Sequence, residues 1–373
     1  MSDKVVTIIG GGLAGLITSI HLARKGVRCK LIEKRSYPFH RVCGEYISNE
    51  VLPYLSLLEA YPAELSPSRI TRFQLTSTNG KSAYLPLDLG GFGISRYRFD
   101  QFLFQIATRL GVEVSLEREV TQVAFREGCF AITTDQDVWE ADVVIGSFGK
   151  RSRLDMNLTR SFVQQRSPYL GVKYHIRLHD FPDNLIALHN FKDGYCGISR
   201  VEDNTVNLCY LTHRENVRVH GSIRSMEEAV LFKNPFIQDI FQRAEFLFEK
   251  PETINEISFE TKSPVEQHIL MAGDAAGMIT PLCGNGMAMA IHSAKLVSEH
   301  VFRFCMDSSY LRHQLETDYA KAWRGHFSQR LWAGRQIQRL FGGEWSSNFA
   351  VNLARKARPV ANFLISKTHG SSF

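Results

Sequence analysis

The chain has 373 residues, of which 44% are hydrophobic and 22% charged, and its formal net charge is +6. These values fit a globular protein of two or three structural units and exclude a fibrous, disordered or small disulfide-stapled chain. The charge is uneven: from Val301 onward eleven Lys or Arg face four Asp or Glu, so the basicity belongs to the C-terminal segment.

Seven cysteines (Cys29, Cys43, Cys129, Cys196, Cys209, Cys283 and Cys305) form no C-x-x-C pair and no metal-ligand spacing. That pattern predicts free thiols in a reducing, cytoplasmic setting and no metal site. At the start of the chain, the apolar run 5–9 breaks into Gly10-Gly11-Gly12-Leu13-Ala14-Gly15, after which Leu16, Ser19, Ile20 and Ala23 recur at helical spacing. The reading is strand, glycine turn, helix. On hydropathy alone residues 5–23 could be a signal-peptide core, but the glycine spacing accounts for them better. Gly26 then ends the helix and residues 28–33 read as a second strand closing on Glu33, which completes a βαβ unit.

Further along, residues 51–58 return to helical periodicity, and 73–87 alternate like strands around the turn signal Asn79-Gly80. Residues 99–110 predict an amphipathic helix with Asp100 near its start, followed by strands at 113–120, 122–133 and 142–146. Repeated short alternating runs between 160 and 260 predict a mostly antiparallel sheet. An apolar strand at 267–272 leads into Gly273-Asp274, a long helix spans 287–304, and the remainder reads as amphipathic helix. The expected architecture is α/β. Residues 1–72, 96–157 and 265–305 would build a discontinuous nucleotide-binding domain, 73–95 and 158–264 an inserted β-sheet substrate domain, and 306–373 C-terminal helices.

Gly10-x-Gly12-x-x-Gly15 gains meaning from its setting between strand and helix and from Glu33, 23 residues beyond Gly10. Gly10 permits the tight turn, Gly12 lets the backbone approach a pyrophosphate, and Gly15 lets the helix pack on the sheet. The anion would then sit on the helix N-terminus, over the amides around Leu13 and Ala14. Glu33, with Lys34 after it, would address the adenosine ribose hydroxyls.

A second motif follows some 260 residues later, where Gly273-Asp274 ends a strand and Gly284-Asn285-Gly286 opens a helix. With both motifs in this order, the first 300 residues or so resemble the FAD enzymes related to para-hydroxybenzoate hydroxylase and geranylgeranyl reductase. The resemblance implies a Rossmann-type FAD-binding domain of the GR2-like kind. It implies that Asp274, after Gly273, binds the ribityl chain and that Pro281 lies beside the flavin ring. The helix beginning at Gly284, Asn285, Gly286 and Met287 would point its positive end at the flavin N1 and C2 carbonyl. It also places Arg96 near the pyrophosphate, Arg41 over the phosphates and the Val120 backbone at adenine. Cys43-Gly44-Glu45 resembles the reductases' element beside the flavin, which makes Cys43 the candidate catalytic residue. Glu45, Tyr46, Tyr195 and Leu282 are the candidate substrate-pocket residues.

There are departures from the pattern. The hydroxylases carry an acid in a segment shaped like GADGxxS, where this chain has Gly146-Ser147-Phe148-Gly149-Lys150-Arg151-Ser152, so Phe148 stands in its place. The tryptophan of the reductases' Tyr-x-Trp-x-Phe-Pro segment is absent from Tyr195-Cys196-Gly197-Ile198-Ser199. No second glycine fingerprint follows a strand, so NADH or NADPH would dock only transiently as electron donor. His175, His189 and His292 read as packed histidines.

The expected function is that of an FAD-dependent oxidoreductase. The first reading is a monooxygenase that hydroxylates an apolar or aromatic small molecule through a flavin C4a-hydroperoxide. The alternatives are a carbon-carbon double-bond reductase of the geranylgeranyl reductase type and a non-catalytic lipid-binding module on the same fold. No nucleic-acid partner is expected. Arg324, Arg330, Arg335 and Arg339 recur among Trp323, Phe327, Leu331 and Trp332. Either that stripe packs on the FAD domain with its arginines solvated, or the segment docks peripherally on a membrane or an acidic carrier protein.

Overall fold

The computed structural model describes residues 4–164, 167–255, 257–280, 282, 284–338, 341–356 and 370–373. In chain order the strands are β1 (Val6–Ile9), β2 (Cys29–Ile32), β3 (Tyr46–Ser48), β4 (Ser68–Thr76), β5 (Ser82–Gly93), β6 (Glu113–Ser115), β7 (Val120–Arg126), β8 (Cys129–Thr134) and β9 (Val138–Ala141). They continue with β10 (Val143–Gly146), β11 (Tyr169–Arg177), β12 (Leu185–Phe191), β13 (Gly194–Arg200), β14 (Val206–His213), β15 (Glu245–Phe246), β16 (Glu252–Asn255), β17 (Val265–Glu266) and β18 (Ile269–Met271). The helices are α1 (Leu13–Arg24), α2 (Leu52–Leu57), α3 (Arg96–Arg109), α4 (Arg153–Asn157), α5 (Arg214–His220), α6 (Ile223–Ala229), α7 (Pro235–Arg243), α8 (Gly286–Met306), α9 (Arg312–Gln338) and α10 (Glu344–Lys356).

The first sheet runs in the order β17-β18-β10-β1-β2-β6, parallel except for the β17–β18 pair. Every residue of β1 and β10 is buried, as expected of central parallel strands covered on both faces. Helix α1 packs between this sheet and α3 and α8, which explains why it is buried on nearly all sides rather than along one stripe. The second sheet, β15-β11-β14-β13-β12-β4-β5-β3, is antiparallel apart from the β12–β4 pair. This is a Rossmann-like α/β fold with an inserted sheet and C-terminal helices.

Alternation along the second sheet divides its two faces. Leu208 on β14 and Ala187 on β12 point into a core closed by α5, α6 and α7, through Met226, Leu231 and Ile237. Leu211 and Leu188 on the same strands point the other way, into a cluster with Leu75, Leu85, Ile257, Ala350 and Ala354. Helix α10 packs on β4 and β5 and supplies the last two of these.

Local physics moved several predicted elements. Residues 122–133 are a hairpin rather than one strand, because Glu127 and Gly128 adopt φ of 51° and 86°, the two positive angles of a two-residue turn. Helix α3 starts at Arg96, three residues early, because the Ser95 hydroxyl accepts the Arg98 N–H as its N-cap. Strand β4 begins at Ser68 rather than at 73 and carries a bulge between Ile70 and Arg72. The stretch read as continuous sheet contains α5, α6 and α7, the last begun by an Asn234 cap and Pro235. Among the described residues no helix is long and apolar enough to cross a membrane, and Cys29, Cys43, Cys129, Cys196, Cys209 and Cys305 are free thiols.

In the C-terminal helices Trp323, Phe327 and Leu331 are buried against the first domain's core. Arg330, expected on the surface, instead forms an ion pair with the fully buried Glu50 at 3.2 Å. The Glu50 carboxylate would be uncompensated without it, so Arg330 is not available for docking. Trp345 and Phe349 on α10 are exposed and stacked, with ring centroids 5.8 Å apart. Arg339 lies outside the described residues.

Candidate active site

A cavity of about 610 Å³ opens where the carboxyl ends of β1 and β2 face the second sheet. It has two parts. The polar cleft is walled by Gly10, Gly12, Leu13, Ala14, Glu33, Lys34, Arg41, Arg96, Val120, Gly273, Asp274, Gly284, Gly286 and Met287. The adjoining slot is apolar, with Phe73, Leu75, Leu85, Leu188, Tyr195, Leu211, Ile257, Leu282, Phe341 and Ala350 in its wall. Cys43, Glu45 and Tyr46 also line the cavity. Of the residues singled out in the sequence, Gly15 and Asn285 sit just behind this surface, and Pro281 lies outside the described residues.

The glycines differ in what surrounds them. Gly10 takes φ +104°, and a Cβ there would come within 2.5 Å of the Ser147 carbonyl oxygen. A Cβ on Gly15 would collide with the Gly10 carbonyl, which is the close helix-to-sheet contact. A Cβ on Gly12 would meet nothing nearer than the Arg96 guanidinium at 3.7 Å, because that position faces the cleft.

Helices α1 and α8 both start at the cleft, and neither has a side-chain cap at its N-terminus. Two helix N-termini without side-chain caps therefore point at one volume, as a ligand with a pyrophosphate and an electron-rich ring requires. Glu33 closes the far end, with Oε2 accepting the Gly11 N–H at 2.8 Å and Oε1 the Arg35 N–H at 3.1 Å. These features fit a dinucleotide of the FAD kind.

The arginines are held rather than free. Arg96 makes two 2.7 Å hydrogen bonds to Asp100, whose carboxylate raises the guanidinium pKa against the opposing effect of burial. Arg41 bonds Asp100 at 3.1 Å and lies 3.4 Å from Glu33. Asp100 at the start of α3 thus fixes both guanidinium groups at the cleft wall.

Glu45 lines the cavity, with its carboxylate turned into the protein. Its fully buried carboxylate bonds Lys173 Nζ at 2.5 Å, His175 Nε2 at 2.7 Å and the Arg96 N–H at 2.8 Å. Burial alone would raise its pKa, but Lys173 and His175 outweigh that and hold it at about 2. His175 is therefore part of this buried cluster rather than merely packed. By contrast, burial lowers the pKa of His189 and of His292 to about 3. Cys43, two residues before Glu45, is half-buried; its Sγ lies 3.5 Å from the Glu45 nitrogen, and its carbonyl accepts from Asn207.

Several lining residues were not anticipated. Lys150 and Phe148 both face the cavity. Lys262 donates to the carbonyls of Lys150 at 2.7 Å and Asp274 at 2.8 Å, tying the two cofactor segments together. Burial lowers the Lys262 pKa to about 8, and its ammonium lies 4.2 Å from the Phe162 ring. Lys150 was legible, since it stands two residues after the position where the acid is missing. The partners of Lys173 and Lys262 were not, because each meets its carboxylate or carbonyls across more than 100 residues of chain or between two domains.

A family model described as an FAD-binding domain matches residues 3–162. The chain carries an FAD-binding domain. This flavoprotein is 22% identical over 347 residues to a tryptophan 2-halogenase from Chondromyces crocatus, covering 87% of this chain and 66% of the halogenase. It is 24% identical over 339 residues to a digeranylgeranylglycerophospholipid reductase from Methanosarcina acetivorans, covering 86% and 80% of the two chains. Among solved structures, a geranylgeranyl bacteriochlorophyll reductase-like protein from Thermoplasma acidophilum superposes with a TM-score of 0.80 at 16% identity, over 99% of this chain and 96% of that one. The flavin-dependent halogenase CmlS gives 0.76 at 20% identity, over 91% and 64%. This flavoprotein thus spans about two thirds of the length of these two halogenases and nearly the full length of the reductase-like structure. It is similar in sequence and fold to both groups.

Proposed function

We propose that this flavoprotein reduces carbon-carbon double bonds of a long apolar substrate, using reduced FAD as hydride donor. The observation that carries this reading is the slot: a continuous apolar wall from Leu75, Leu85 and Leu188 to Ile257, Ala350 and Ala354, opening onto the cofactor cleft beside Cys43. A long hydrocarbon chain gains about 25 cal/mol for each Å² it buries in such a slot and needs no polar partner there. The digeranylgeranylglycerophospholipid reductase relatives, each covered over 80% or more of its length, support the same class.

In this reading bound FAD would supply a hydride to one alkene carbon, and a proton drawn ultimately from solvent would complete the other. The chain's own residues do the rest. Gly12 and the two helix N-termini receive the pyrophosphate and ring, Glu33 orients the adenosine, and Asp274 holds the ribityl chain. The slot lays the substrate alkene against the ring and excludes water, while the Glu45–Lys173–His175 cluster keeps the Cys43 loop in one position. NADH or NADPH docks transiently to reduce the cofactor, slowly because Phe148 occupies the position of the hydroxylases' acid.

A second reading, a monooxygenase on an aromatic substrate, is favoured by the rings of Phe73, Tyr195 and Phe341 in the same wall. Product mass separates the two. Incubation with geranylgeranyl lipids and with phenols should give a product heavier by two hydrogens for the reductase, and by one oxygen for the monooxygenase.

The C-terminal partner is also a proposal: Trp345 and Phe349, with the basic end of α10 at Arg355 and Lys356, would rest on an anionic membrane surface that delivers such a substrate.

A further inference from the structure

The cavity has a junction. An electron-transferring ring must lie within about 3–3.5 Å of the group it reduces, so it sits where the polar cleft meets the apolar slot. The wall there is built by Cys43 on the loop before β3, Cys209 on β14, Asp274 after β18, and Lys150 after β10. These four come from both sheets, and Lys150 is the cation among them.

Lys150 differs from the guanidinium groups of the same cavity. Arg96 is committed to Asp100, and Arg41 to Asp100 and Glu33. The Lys150 ammonium has no hydrogen-bond or ion-pair partner among the described residues, while Asp274, Cys43 and Cys209 are close enough to act on it electrostatically. Its backbone is fixed, because the Lys262 ammonium grips the Lys150 and Asp274 carbonyls together. Gly149, at φ +82°, makes the turn that brings the side chain round. A lysine placed without a carboxylate partner on a rigid segment, at a site that a cofactor fills, is held ready for negative charge on that cofactor.

We propose that Lys150 contacts the flavin ring of bound FAD and stabilises the anionic reduced form over the oxidised form. The inference rests on the FAD reading and extends it: the ammonium takes over, from the side of β10, part of the electrostatic role of the α8 N-terminus on the other side. Burial holds the Lys150 pKa below the ordinary lysine value while Asp274 opposes the shift. Such a cation gains more from a neighbouring anion than a solvated lysine would.

The test compares wild type, Lys150→Met and Lys150→Arg as FAD-loaded proteins, reading the affinity for oxidised FAD and the flavin midpoint potential against a reference dye. Lys150→Met should keep oxidised-FAD affinity within about threefold while losing about tenfold in its preference for reduced FAD, a shift of about 30 mV to more negative potential for a two-electron couple. Lys150→Arg should restore most of that shift. An unchanged potential in Lys150→Met overturns the proposal. So does an equal loss of affinity for both redox states, which would assign the ammonium to the phosphates or ribityl chain. Lys150→Gln, with the same readout, decides the matter if the methionine variant does not fold. A wild type that takes up no FAD would contradict the cofactor reading itself, which separates the two failures.

Discussion

Lys173 on β11 and Glu45 before β3 form an ion pair at 2.5 Å in which neither side chain is exposed to solvent. The pair joins the inserted sheet to the Cys43-Gly44-Glu45 loop at the cavity wall. Glu45 sits at φ +54° to reach it, a conformation that non-glycine residues adopt only where surrounding contacts compensate. Removing one partner leaves the other charged and buried, so Glu45→Gln should lower stability by about 3–5 kcal/mol. Lys173→Met should cost a similar amount, and the double variant less than the sum of the two. Denaturant titration of the four proteins checks this; additive losses would mean the two charges do not depend on each other.

The same pair predicts acid sensitivity. Glu45 has a folded-state pKa of about 2 against an ordinary 4.5, so the unfolded chain takes up the proton first as pH falls. The stabilisation, on the order of 3 kcal/mol, is fully present above about pH 4.5 and is lost progressively as pH approaches 2. Stability measured from pH 6 to 2.5 should fall in that window, and the Glu45→Gln variant should show a shallower decline. Parallel curves would assign the acid sensitivity to other carboxylates.

Gly12 and Gly15 should separate cofactor binding from folding. Gly12 has φ −81° and faces open cleft, so Gly12→Val is compatible with the backbone and places methyl groups where the pyrophosphate would lie. Its expected phenotype is a folded protein with FAD affinity reduced at least about a hundredfold, some 2.7 kcal/mol. Gly15→Ala meets the Gly10 carbonyl and should lower the melting temperature instead. Thermal unfolding together with the flavin absorbance of the purified variants reads both effects.

Filling the slot should affect substrate and spare the cofactor. Ala350 is buried on α10 beside Leu75, Leu85 and Leu188, away from the dinucleotide cleft. Ala350→Trp is expected to cost about 1–3 kcal/mol in stability through overpacking. It should leave the bound-flavin spectrum unchanged and reduce turnover of long isoprenoid substrates more than tenfold. Unaltered turnover in a folded Ala350→Trp protein would place the substrate elsewhere.

What could be read from the chain and what could not divides along physical lines. The glycine turn, Glu33 and the Gly273-Asp274 segment are local patterns in which backbone geometry dictates residue type, so their placement around one cleft was legible. Helices α5 and α6 are seven residues each and α7 nine, too short to impose a helical period over the strand-like alternation on either side, although the Asn234-Pro235 start of α7 was visible. The Glu45–Lys173–His175 cluster and the Lys262 clip depend on contacts between distant segments, which no local pattern records. Arg330 read as a surface arginine because its helix is amphipathic; only the fold brings Glu50 beside it.

Whether reduced FAD in this protein delivers hydride to an alkene held in the apolar slot is read out by anaerobic reoxidation. Protein reduced stoichiometrically with dithionite is mixed, without oxygen, with a geranylgeranyl lipid, and the flavin absorbance is followed while the lipid is recovered for mass analysis. The expected result is return of the oxidised flavin spectrum with one double bond lost per flavin. Flavin that stays reduced until oxygen is admitted, with oxygen then appearing in the product, would contradict it.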